Sequence, residues 1–283
     1  MADTVTITMG ALNIAADPHP QGIYRRLFEA AADLPVRLWG SDWAKITAPI
    51  DRETSPPSFY GRVLVWTEID REGKWLNQVE DREATPHEKR NILIPEDLDP
   101  NFRSFNFVFL EHRHLLVVEF QNELGEHFGA QRAEKLFTRL FVKAEPEKDE
   151  PLVEVTVVPA AEALDRIFAM PKLRKLEINL VRPNPDSLDE FEERILQKLI
   201  DQGAKEQTVT LKKRAGVQKL TPDEETRTLA QIAAKNGSVS GEGKNEDGKS
   251  IFESTKDHPK IVKAEVVATS SIATFFAKVQ SFL

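Results

Sequence analysis

The sequence contains no cysteine, which excludes disulfides, thiolate metal centres and cysteine nucleophiles together. No window approaches the ~18 consecutive apolar residues that read as a membrane-spanning helix. The opening MADTVTITMG lacks a basic stretch followed by an apolar run, so no secretory leader is expected. Positive charge is not in excess. Against 38 Lys and Arg stand 46 Asp and Glu, a net charge of −8, with an isoelectric point near 5.4. A net acidic chain is not expected to bind polyanions indiscriminately. Neither G-x-S-x-G nor S-x-x-K occurs, so the common serine-nucleophile arrangements have no support.

What is present is a folded globular composition: 40% apolar and 30% charged residues over 283 positions. That length suits two domains, or one large one, and needs no covalent staples. Residues 1–150 hold 18 basic and 26 acidic side chains, whereas 151–283 hold 20 of each; the whole acidic excess lies in the first half. The segment Ala144–Pro151 is charged, proline-bounded and free of large apolar side chains. It is the expected linker between an acidic N-terminal domain, 1–144, and a charge-neutral C-terminal domain, 151–283, that carries basic clusters.

Alternation and β-branching predict strands over Val5–Ile14, Trp43–Thr47 and Phe59–Ile69, with Trp75 and Leu76 starting a return. A helix after the Asp17-Pro18-His19-Pro20 turn places Ile23, Leu27, Ala30 and Ala31 on one stripe. Phe105–Phe109 and Leu115–Phe120 predict a hairpin, and apolar residues at helical spacing predict a helix over 127–143. The second half reads as strand Val153–Val158, helix Ala160–Met170, strand Leu173–Val181, helix Leu188–Gln202 and strand Gln207–Lys213. A helix Thr221–Lys235 with Thr221 as N-cap follows, then a Gly-rich hairpin loop over 237–250 between short strands. Strand Ile261–Val267 and helix Ser271–Leu283 complete the chain. The last helix carries Ile272, Phe275, Phe276, Val279, Phe282 and Leu283 on a stripe. This stripe is expected to dock on the C-terminal domain's sheet or on a second copy of the chain. The fold class is therefore α+β, with two sub-domains, each a mixed or antiparallel sheet with helices packed on it.

Three patterns bear on chemistry. Gly243–Ser250 matches G-x-x-x-x-G-K-[ST], but no apolar strand precedes it and no helix follows, so Asn245–Gly248 is read as a hairpin turn rather than a phosphate loop. His112 and His114, near Glu111 and Glu119, are placed by alternation on one strand face. Two imidazoles are too few for a metal centre, and the pair is read as exposed turn residues. The basic groups remain. Arg132, Lys135, Arg139 and Lys143 recur at i, i+3, i+7 and i+11 on one helix face, and Lys172, Arg174 and Lys175 with Lys212, Lys213 and Arg214 form two clusters around strands. If these meet, they form a groove able to contact backbone phosphates, with no aromatic interleaved for base stacking.

Asp17–Tyr24, Pro171–Glu177, Arg182-Pro183-Asn184-Pro185-Asp186 and Thr255–Pro259 together resemble an uncharacterised bacterial family of unknown function whose members are encoded near mobile elements. That family is similar, more distantly, to RexA-type phage-exclusion proteins, which bind DNA and act in abortive defence. The resemblance implies a cytoplasmic antiviral protein and supplies no catalytic residue. The expectation is a non-enzymatic nucleic-acid-binding protein, DNA before RNA, using no cofactor, metal or membrane, and able to form a homodimer. The alternative is a protein-interaction subunit of a defence complex.

Overall fold

A computed structural model of the chain describes residues 4–54, 57–144, 152–182, 190–267 and 271–282. Strand β1 (Thr4–Asp17) is 14 residues long and buried over most of its length. Helix α1 (Ile23–Ala31) follows the turn and buries Ile23, Tyr24, Leu27, Phe28 and Ala31; Ala30, expected on that stripe, points outward. The chain continues through β2 (Val36–Trp39), β3 (Asp42–Ile46), β4 (Ile50–Arg52) and β5 (Ser58–Thr67). An excursion carries β6 (Leu76–Asn77), β7 (Arg82–Glu83) and the short α2 (Pro86–Lys89). Here Leu76 pairs with Glu83 rather than returning along β5. The expected hairpin is β8 (Arg103–Leu110) and β9 (Leu115–Gln121), and α3 (Ala130–Ala144) follows it.

The second half supplies β10 (Leu152–Val157), α4 (Ala163–Phe168), β11 (Lys172–Val181), α5 (Glu190–Asp201) and β12 (Glu206–Lys212). Then come α6 (Glu224–Lys235), β13 (Gly237–Lys244), β14 (Ser250–Ser254), β15 (Ile261–Val267) and α7 (Ser271–Lys278). Helix α6 starts later than expected because Asp223, not Thr221, caps it: its carboxylate accepts from Thr226 N at 2.8 Å. The expected linker at 145–151, most of the Arg182–Asp186 string, and Leu283 lie outside the described residues.

Two antiparallel sheets carry the fold, which is α+β. The larger runs β10-β1-β9-β8-β5-β3-β2, with β15 also on β1 and β4 also on β5. The smaller runs β12-β11-β13-β14. Strands β10 and β15, both from the second half, share one edge of β1: β15 pairs Thr4–Gly10 and β10 pairs Leu12–Asp17. One face of the large sheet packs against α1 and α3 around Phe28, whose ring lies 4.9 Å from Phe59, 5.2 Å from Phe109 and 5.2 Å from Phe141. Each fully buried Phe contributes about 1.5–3 kcal/mol.

The opposite face takes α7. Phe275, Val279 and Phe282 are buried there against Ile7, Met9 and Val117, while Ile272 is exposed. The terminal helix therefore docks on the large sheet rather than on the sheet of the C-terminal half. Pairing of β15 with β1 delivers the chain to that face. In the small sheet, the Gly-rich stretch read as a loop is instead strand β13. A methyl at Gly241 would stand 2.7 Å from Ile167 Cγ2, and one at Gly243 would stand 2.8 Å from Lys172 O. Glycine there lets β13 lie close against α4 and β11.

A carboxyl interrupts the apolar interior of the large sheet. Glu119 is fully buried in β9; one oxygen accepts from Asn106 N and Nδ2, each at 2.9 Å, and the other has no hydrogen-bond partner. Burial pushes the carboxyl up to about 7, with Glu123 adding repulsion and the Asn106 bonds opposing the rise. The folded chain holds this proton where the unfolded chain has lost it. The stability contribution is thus complete below the unfolded value of 4.5 and is lost as pH rises through about 7. Wild type should lose up to about 3 kcal/mol more than Glu119→Gln between pH 5 and pH 8. Denaturant unfolding at both pH values measures this, and parallel pH dependence in the two proteins would contradict it.

Candidate nucleic-acid interface

The expected basic residues fall into two separate places. On α3, the four cations turn toward the β2 edge of the large sheet. Arg132 lies 3.7 Å from Asp42, the ammonium of Lys135 sits 5.0 Å from the centre of the Trp39 ring, Arg139 donates to Arg37 O, and Lys143 donates to Pro35 O at 2.6 Å. The spacing is what it looked like in sequence, one continuous helix face. Its side chains are engaged with the adjoining strand, where Arg139 and Lys143 satisfy backbone carbonyls.

The other cations gather on the small sheet. Its inner face, formed by Leu176, Ile178, Leu180 and Val239, packs against α4, α5 and α6. Alternation sends the intervening residues to the outer face. The register aligns Lys212 with Lys175, Lys175 with Glu242 and Glu242 with Phe252, one row crossing all four strands. Lys172, Lys244 and Ser250 form the next row toward the sheet end. Between them the ladder shifts register at Leu173/Lys175, leaving Arg174 as the extra residue, exposed at the rim. Arg174, Lys175, Lys212 and Lys213 thus line one cleft of about 880 Å³, shared with Glu242 and Phe252.

Lys175 is held between Glu177 at 2.9 Å and Glu242 at 3.1 Å, and these bonds raise its ammonium above the ordinary value, so it stays charged. Lys213 turns back to Val217 O at 2.5 Å and Arg214 O at 3.1 Å. Lys212 and Arg174 are exposed, and neither makes an ion pair among the described residues. Arg214 lies beyond the end of β12 and does not line the cleft. None of the α3 cations lines it either, so the single groove expected from the two groups is replaced by two surfaces.

The turn between β13 and β14 is the hairpin read from sequence. Asn245 N donates to Lys249 O at 2.9 Å, and Gly248 takes the left-handed φ of 82° that favours glycine. Of the two histidines, His112 is exposed in the turn as expected, whereas His114 is not. Glu111–Arg113 is a 3-10 turn and His114 its left-handed cap, so alternation does not apply. His114 is buried, its ring 4.8 Å from His19 and 4.9 Å from Tyr24, and it is a packing residue rather than an exposed one. His112, His114 and Arg113 line a second cleft of about 530 Å³ with Asn13, Glu192 and Lys235. Among the described residues, no group of three His, Asp or Glu side chains is arranged to hold a metal ion, and no helix is long and apolar enough to cross a membrane.

Phe252 leaves no local signal in the sequence. Its ring is 59% exposed and belongs to the basic row only through strand pairings distant in sequence.

These features define an α+β protein with an open, basic sheet face. The chain belongs to a family described as a domain of unknown function (DUF4747), whose model matches residues 5–280. No curated protein matches the chain.

Proposed function

We propose that the protein is a non-enzymatic nucleic-acid-binding protein, with DNA as its partner, and that the outer face of the small sheet is its contact surface. The observation that carries this reading is the convergence of Arg174, Lys175, Lys212 and Lys213, from two neighbouring strands and the turn after them, on one cleft. Phosphate recognition requires several cations within reach of one backbone, which a net acidic chain supplies only by local concentration. The α3 stripe is a weaker contributor, because its cations already meet an aspartate, an indole ring and two carbonyls of the β2 region. The antiviral setting and the placement beside mobile elements rest on the string resemblance alone.

A second reading, an interaction subunit of a protein complex, is favoured by the excursion between β5 and β8. Val79 and Leu93 are 93% and 91% exposed there, beside the outward-facing Leu76 and Leu98.

Charge reversal separates the two. Binding of labelled DNA, followed by fluorescence anisotropy, should weaken on the order of a hundredfold between about 50 and 200 mM salt if four phosphates are contacted. Arg174→Glu with Lys212→Glu should lower affinity at about 50 mM salt at least tenfold, uniformly across sequences, because phosphate contacts carry no base information. Lys135→Glu with Arg139→Glu should lower it less. Absence of any salt-sensitive binding by the wild type would contradict the nucleic-acid reading and leave the interaction-subunit reading standing.

A further inference from the structure

The outer face of the small sheet combines charge with an aromatic ring. Along the row Lys212, Lys175, Glu242, Phe252, neighbouring strands are about 4.8 Å apart, so the cationic end and the ring lie roughly 14 Å from one another. Six cations, Lys172, Arg174, Lys175, Lys212, Lys213 and Lys244, stand on this face or its rim against the carboxylates of Glu177 and Glu242, with Glu206 at the far end of β12. The next rows inward are small and hydrogen-bonding: Thr210, Glu177 and Ser240, then Thr208, Asn179 and Ser238. No bulky apolar side chain stands in these rows to obstruct an extended chain crossing the strands.

Phosphate contacts alone do not distinguish duplex from single strand. Phe252 does. In a duplex each base face is covered by its neighbours, so an aromatic side chain on a flat sheet meets only sugar and phosphate there. In a single strand the base faces are open, and a ring beside a cationic track gives one of them a stacking partner. An exposed Phe on its own needs no explanation. Set at the end of a row that begins in lysines, it supplies the contact that phosphate-binding cations lack.

We infer that this face binds single-stranded nucleic acid, with the backbone over Lys212, Lys175 and Arg174 and one base stacked on Phe252. The inference rests on the nucleic-acid reading above and narrows it to single strands. A purely acidic chain such as poly-glutamate would satisfy the same cations, but it has no group that needs the ring.

The test uses the full chain with oligothymidine of about 15 nucleotides, a duplex of the same length and poly-glutamate. Phe252→Ala should weaken oligothymidine binding about tenfold and leave duplex binding within twofold, with the melting temperature unchanged because the ring is exposed. Phe252→Trp should keep oligothymidine affinity, and its indole emission should fall on binding, which a purely electrostatic contact would not cause. Equal losses on single strand and duplex, an unquenched indole, or poly-glutamate binding that matches oligothymidine and falls equally in Phe252→Ala would overturn the stacking inference. Those results leave the broader reading intact provided that Arg174→Glu with Lys212→Glu still lowers affinity at least tenfold. If the wild type binds neither nucleic acid, both fall.

Discussion

Hydrogen bonding along both edges of β1 is the constraint on which the rest of the molecule depends. One edge carries β9 over Thr8–Asn13. The other carries β15 over Thr4–Gly10 and β10 over Leu12–Asp17, and Val158 N donating to Ala11 O at 2.9 Å bridges the gap between them. A strand paired on both sides, with side chains buried on both faces, must be apolar almost throughout. Ile7, Met9, Leu12 and Ile14 meet that demand, and all are fully buried. Ile7 and Met9 face α7, whereas Leu12 and Ile14 belong to the core beneath α1 and α3. One strand therefore joins both cores of the large sheet and ties β15 and α7 to the N-terminal half.

The same strand sets where the small sheet sits. Asn13 donates to Asn236 Oδ1 at 3.1 Å, just after α6, and Arg182, at the end of β11, pairs with Asp17. Lys205 reaches Glu154 of β10 at 2.7 Å. These polar ties hold the small sheet at one end of β1 while its three helices occupy the inner face. What remains exposed is the outer face with its basic row. The residues that distinguish this surface contribute little to folding, since exposed cations and a half-exposed ring bury little area. They are open to a functional account because the fold does not need them.

Much of this architecture was legible in the sequence, and the failures have physical causes. Alternation and β-branching locate β5, β8, β11 and β12, and helical spacing or a capping signal locates α3, α5 and α6; β9 reads as a near-continuous apolar run because both of its faces are buried. Strand β2 is four residues behind Leu34-Pro35 and too short for its alternation to register. Strand β13 reads as a loop in sequence because Gly237, Gly241 and Gly243 fall on its inner face. There α4 and β11 approach too closely for side chains, so the usual apolar signal is missing. The stripe on α3 was visible by spacing, but its turn onto β2 depends on a partner about a hundred residues away in the chain. The Lys212–Phe252 row needed three strand registers at once, and no local pattern encodes them.

The small sheet's outer face, and not the α3–β2 surface, is the proposed contact for nucleic acid. Each surface carries one prominently exposed aromatic, Phe252 on the first and Trp39 on the second, so photochemical cross-linking distinguishes them directly. A single-stranded oligonucleotide bearing 5-iodouracil, irradiated in complex with the full chain and mapped by peptide mass spectrometry, should attach to the peptide containing Phe252. Attachment to the peptide containing Trp39, with none at Phe252, would contradict the account.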